Sequence, residues 1–165
     1  MIYILDTNVV SAVRRPGRAP KVAAWLADKA EGDLYLSVVT LGEIERGIAR
    51  QEVSNPGFAE DLRRWLDRTM AVFSDRLLPL TAEDARAWGA LSARLGHPGA
   101  DLMIAAQALT RDAAVVTGNV ADFAPTGARV IDRFTDADWR AVSRKLKLAG
   151  ERWWEDHREE LVGLG

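Results

Sequence analysis

The sequence predicts an α/β fold: a parallel β-sheet with helices on both faces. Two observations carry that expectation. Short apolar runs (Ile2–Leu5, Leu34–Val39, Leu77–Leu80, Ala113–Thr117, Arg129–Ile131) alternate with longer segments whose apolar residues recur at helical spacing. Strands separated by helices form βαβ units, which require a parallel sheet. In addition, the first run ends on a carboxylate, Asp6 of Asp6-Thr7-Asn8, at the strand tip where such folds bind ligands.

The elements follow in order. After the strand Ile2–Leu5, residues Asn8 to Arg14 read as a short helix stopped by Pro16-Gly17. Pro20 to Ala30 is a helix with proline at a tolerated first-turn position. Leu34–Val39 is the second strand. Thr40 then reads as an N-cap, and Thr40-x-x-Glu43 matches a capping box ahead of the stripe Leu41, Ile44 and Ile48. Asn55-Pro56-Gly57 marks a turn before the helix Phe58–Phe73. Leu77–Leu80 is a short strand, Thr81 opens a helix to about Leu95, and Ala100–Thr110 is an alanine-rich helix suited to close packing on a sheet. Ala113–Thr117 is a buried strand, followed by a loop to Phe123 and a last strand at Arg129–Ile131.

Composition narrows the function. At 165 residues and 48% hydrophobic the chain suits one domain with a real core. Having no cysteine, it has no disulfide framework, cysteine-based zinc site or thiol nucleophile. The N-terminus lacks the basic region of a signal peptide, and no apolar stretch approaches the ~20 residues of a membrane helix. A cytoplasmic protein is expected. His97 and His157 are too few for a histidine-rich metal centre. The net charge of −2 argues against a passive nucleic-acid binder but leaves room for a nuclease with an acidic metal site.

Four acids are candidates for one site. Asp6 ends the first strand, Glu43 begins the helix after the second, and Asp122 follows Ala113–Thr117 by a short loop. In a parallel sheet these positions share one edge. Asp101, near the start of its helix, joins them if that helix packs there. Gathered carboxylates repel unless a cation neutralises them. Mg²⁺ or Mn²⁺ prefers oxygen ligands and suits a phosphate substrate, so the fitting reaction is phosphodiester hydrolysis by metal-activated water. Thr117 and Asn119 could orient a carboxylate or a water. Each acid has a plainer reading too: helix-dipole or capping charge for Glu43 and Asp101, an ordinary loop aspartate for Asp122.

At these residues the sequence resembles the PIN-domain ribonucleases, and most closely the toxins of VapBC-type toxin–antitoxin modules, including the FitB-like branch. The matching stretches are Leu5-Asp6-Thr7-Asn8-Val9-Val10-Ser11, Ser37-Val38-Val39-Thr40-Leu41-Gly42-Glu43, Ala100-Asp101-Leu102-Met103-Ile104-Ala105-Ala106 and Val116-Thr117-Gly118-Asn119-Val120-Ala121-Asp122-Phe123. Their order and spacing follow the family from residue 1 to about 134. The resemblance implies a three-layer α/β/α sandwich and Mg²⁺ or Mn²⁺ held by Asp6, Glu43, Asp101 and Asp122. It implies Asn8, Thr117 and Asn119 as the polar residues around them. It also implies endonucleolytic cleavage of RNA (often tRNA or rRNA), a small antitoxin partner and dimerisation.

Residues 1–134 form the expected nuclease domain, and 135–165 a charged helical C-terminal extension packed on or beside it. That extension holds Trp139, Trp153 and Trp154. Arg14 and Arg15, just after the Asp6 motif, and Arg46, beside Glu43, are candidate phosphate contacts. Arg63, Arg64 and Arg68 read as an exposed helix face. Two rivals remain: a non-catalytic RNA- or protein-binding module of the same fold, and a phosphatase with Asp6 as nucleophile. The phosphatase would need a second acid two residues on, where this chain has Asn8.

Overall fold

The computed structural model describes residues 1–14 and 19–134. The expected C-terminal extension, with its tryptophans and His157, lies outside them, as do Arg15 and Arg18. β1 (Tyr3–Leu5), β2 (Leu34–Ser37), β3 (Leu77–Leu78), β4 (Ala114–Val116) and β5 (Arg129–Ile131) form one sheet in the order β3-β2-β1-β4-β5. All four pairings are parallel. The helices α1 (Thr7–Val13), α2 (Pro20–Ala27), α3 (Val38–Ser54), α4 (Pro56–Val72), α5 (Ala82–Leu95), α6 (Ala100–Thr110) and α7 (Val120–Phe123) cover both faces.

Period-two alternation along the strands sorts residues between two cores. Leu5, Leu34, Leu36 and Val116 face one core with Val9, Val22, Ile44, Ile48, Phe58 and Leu62 from α1–α4. Ile4 and Val115 face the other with Leu91, Leu102, Ile104 and Phe123 from α5–α7. Because the central strands are buried on both sides, their sequences read as continuous apolar runs. The α/β/α layering is the expected one.

Two local expectations are corrected. α3 begins at Val38, not after Thr40. Its N-cap is Ser37, whose Oγ accepts from Val39 N at 2.9 Å. Thr40 is fully buried and its hydroxyl caps nothing. Glu43 is therefore in the second turn of α3, and the Thr40–Glu43 capping box does not exist. The box that forms is at α5: Thr81 Oγ1 accepts from Asp84 N (3.2 Å) while Asp84 Oδ2 accepts from Thr81 N (2.8 Å). The other correction is Asn55-Pro56, which is not a turn preceding a helix at Phe58 but the cap and first residue of α4. The loop expected before Phe123 also contains the short α7. α5 ends at Gly96, whose φ of +80° is left-handed backbone that suits glycine.

Among the described residues no helix is long and apolar enough to cross a membrane.

Candidate active site at the carboxyl edge of the sheet

In this strand order the chain leaves β1 toward β2 and β3, then crosses to β4 on β1's other side. The tips of β1 and β4 therefore border the point where the winding reverses, and there an open α/β sheet leaves a crevice for ligands. Asp6 stands at one tip and Thr117 at the other, and the two are bonded.

Asp6 is buried and every polar contact around it is a donor. Its Oδ1 accepts from Thr7 N at 2.7 Å. Its Oδ2 accepts from Asn8 Nδ2 at 2.5 Å and Thr117 Oγ1 at 2.7 Å. Asn8 is held in that role at both ends of its amide: Nδ2 also donates to Thr117 Oγ1 (2.9 Å), and Oδ1 accepts from Gly118 N (3.1 Å). Thr117 Oγ1 further accepts from Asn119 N at 2.9 Å. Asn119 Nδ2 donates to Asp122. On the other side, Thr7 Oγ1 donates to Glu43. One hydrogen-bonded chain thus runs from Glu43 through Thr7, Asp6 and Thr117 to Asn119 and Asp122.

The electrostatics act against those bonds. Burial first, then the charges of Asp101 and Glu43, raise the Asp6 pKa to about 7 in spite of the Thr117 and Thr7 bonds. Burial and the charges of Glu43 and Asp122 raise Asp101 to about 6, with His97 opposing. Burial raises Glu43, opposed by the Thr7 bond and Arg46. Asp101, the second residue of α6, is therefore within electrostatic reach of Asp6, Glu43 and Asp122.

The two effects conflict over one group. Three donors surround Asp6 and specify an ionised acceptor, while burial and like charge penalise that ion. A cation resolves the conflict by favouring the charged form that the donors already require. All the nearby ligating atoms are oxygens, the donor set of a hard cation. Among the described residues no three histidine, cysteine or acidic side chains stand close enough together to hold one ion by themselves.

The candidate arginines divide. Arg14 lies over the rings of Phe58 and Trp65, at 5.4 and 5.7 Å from their centroids. Arg46 is exposed and its charge acts on Glu43. Arg63 and Arg64 lie on the exposed face expected, paired with Glu45 and Glu52 and with Glu60 and Asp61. Two participants carried no clear signal in the sequence. Thr7 links Asp6 to Glu43 across 36 positions, and His97 acts on Asp101. Thr7 could have been noticed as the one hydroxyl adjoining Asp6; His97, in a Gly-Pro turn, showed nothing.

Fold and site together define a class: a parallel α/β domain with interacting acids at the reversal point of its sheet. The PIN domain family model matches residues 3–124, and the chain belongs to that family. It is 51% identical over 67 residues to ribonuclease VapC14 of Mycobacterium tuberculosis, a match covering 41% of this chain and 65%, just under two thirds, of that relative. It is 29% identical over 141 residues to toxin FitB of Neisseria gonorrhoeae, covering 82% of this chain and all of FitB. The crystal structure of FitAcB from Neisseria gonorrhoeae superposes with a TM-score of 0.68 at 29% identity, over 79% of this chain and 96% of that one.

Proposed function

We propose that this protein is a Mg²⁺- or Mn²⁺-dependent endoribonuclease and the toxin of a toxin–antitoxin pair. The observation that carries the reading is Asp6: a buried carboxylate given three donors, beside acids that repel its charge. Membership of the PIN family and relatives named as a ribonuclease and a toxin support the same reading.

Asp6, Glu43, Asp101 and Asp122 are the residues that would hold the metal. The ion, when bound, supplies Lewis acidity toward a phosphoryl oxygen and lowers the pKa of the attacking water. The chain's own residues supply orientation. Asn8 and Thr117 fix the Asp6 carboxylate, Thr7 fixes Glu43, and Asn119 fixes Asp122. Arg46, exposed and acting electrostatically on Glu43, is the residue that would meet a phosphate there. An antitoxin is the expected protein partner, in line with the FitAcB assembly, and a homodimer the expected form. Asp6 serves as ligand rather than nucleophile, since the acid a phosphatase needs two residues on is replaced by an amide committed to Asp6 and Gly118.

The test is incubation of the purified protein with total bacterial RNA in Mg²⁺, Mn²⁺ or EDTA, alongside Asp6→Asn and Asp101→Asn. Discrete cuts are expected with either metal and none with EDTA or the variants. Equal cleavage by folded Asp101→Asn, or cleavage in EDTA, refutes the metal mechanism. RNA binding without any cleavage favours the non-catalytic module.

A further inference from the structure

The turn between α5 and α6 brings an imidazole to the edge of the site. His97 is exposed, and its Nδ1 accepts from Gly99 N at 3.3 Å. The ring lies so close over Gly99 that a Cβ there would stand 3.1 Å from Nδ1. Gly99 is the cap of α6, and Asp101 is that helix's second residue. The bond therefore folds the ring back over the start of the helix that presents Asp101.

With Nδ1 accepting from Gly99, the ring N–H left to donate is on Nε2. Among the described residues that N–H has no protein acceptor, and His97 has no ion-pair partner. Among the described residues the ring is thus a donor with an unused N–H beside the N-terminus of α6. An RNA strand crossing this edge brings more than one phosphate. The cation answers the scissile one, but its neighbours still meet four acids and need donors at the rim. Arg46 acts electrostatically on Glu43, and His97 on Asp101.

We propose that His97 is a substrate-contacting residue whose Nε2–H donates to an RNA phosphate oxygen adjacent to the scissile phosphate. It sets affinity and register on the strand and leaves the chemical step to the acids. This inference rests on the ribonuclease reading and deepens it.

His97→Ala and His97→Gln test it, the glutamine amide restoring a donor near the Nε2 position. The substrate is whichever RNA the parent protein cuts in total bacterial RNA, assayed under multiple turnover across a Mg²⁺ series. For His97→Ala, KM is expected to rise about tenfold, the loss of one hydrogen bond to a charged oxygen. kcat at saturating Mg²⁺ should stay within about twofold, since uniform binding alone is lost. His97→Gln should recover most of the KM. An unchanged KM in His97→Ala overturns the proposal. So does a kcat loss that glutamine does not restore. A parent protein that cuts nothing overturns the ribonuclease reading and this inference together; a cutting parent with an indifferent His97→Ala overturns only this one.

Discussion

Thr117 does three things with one hydroxyl: it donates to Asp6 Oδ2 and accepts from both Asn8 Nδ2 and Asn119 N. It is fully buried, Asp6 and Asn8 are buried, and Asn119 is half-buried. Thr117→Val keeps the shape and removes the oxygen. The Asn8 amide still has Asp6, but Asn119 N loses its acceptor and Asp6 a donor. A loss of roughly 2 kcal/mol in unfolding free energy is expected, the penalty for stranding buried polar groups. Thr117→Ser should lose well under half as much, since it lacks only a methyl. Urea unfolding of the two variants checks this. If Thr117→Val matches the parent, the network around Asp6 contributes nothing to stability. Thr117 was legible in the sequence because it follows an apolar strand, and Asn8 through the resemblance of the Leu5–Ser11 stretch. The Thr7–Glu43 bond was not, because it depends on how α1 lies against α3, and no local pattern records that.

At the scale of elements, α5 and α6 are fastened by an ion pair on the side chain of a capping residue. Asp84 is fully buried and Arg111, just past the end of α6, reaches it with Nη1 at 2.5 Å and Nη2 at 3.0 Å; Thr110 Oγ1 adds a bond at 2.6 Å. Burial pushes the Asp84 carboxyl upward, but the bonds from Arg111, Thr110 and Thr81 outweigh it and hold the group well below its ordinary value of 3.8. An acid so lowered adds stability above its unfolded pKa and gives it up as pH falls from about 4 toward the folded value. Arg111→Met, which strands the buried carboxylate, should cost about 3 kcal/mol near pH 7. The difference from the parent should shrink below about pH 4 as the carboxyl takes up a proton. Chemical unfolding at pH 7 and pH 3 measures both; an equal deficit at the two pH values would mean the ion pair is not its source. Asp84 was read from the sequence only as part of a helix start, because its partner lies 27 residues away. The start of α3 was misplaced for a related reason. Val38, Val39 and Thr40 are β-branched and extend the look of a strand, while Ser37 caps the helix and also donates to the buried Gln107 at 2.6 Å. Five strands and their parallel order of alternation survived such local errors because apolar runs buried on both faces leave a strong trace. Strand order, and with it the meeting of Asp101 with Asp6, is a matter of crossover packing that no single segment encodes.

For the whole molecule, the topology gathers charge that the metal-free fold does not balance. A rise in the Asp6 pKa from 3.8 to about 7 corresponds to roughly 4 kcal/mol at pH values above it. Asp101, raised to about 6 and partly exposed, adds less. Below about pH 4 both acids are protonated, folded or not, and nothing is lost. Between there and pH 7 the unfolded chain releases protons that the folded one keeps, so stability falls as pH rises. The lowered Asp84 acts below this window and does not mask it. The metal-free protein should therefore melt at a lower temperature at pH 7.5 than at pH 5. Saturating Mg²⁺ or Mn²⁺ needs the ionised carboxylates, and at pH 5 it must displace protons to bind. Its stabilisation, which follows from binding the folded state alone, should then be larger at pH 7.5 than at pH 5. Asp101→Asn should raise the metal-free melting temperature at pH 7.5 and cut the metal's increment, the signature of a group that destabilises the fold in order to bind. Thermal melts at the two pH values, with metal and with EDTA, decide it. A metal-free melting temperature that climbs from pH 5 to pH 7.5, or a metal increment equal at both, would show that the acids at the sheet edge are not the charge reservoir their geometry describes.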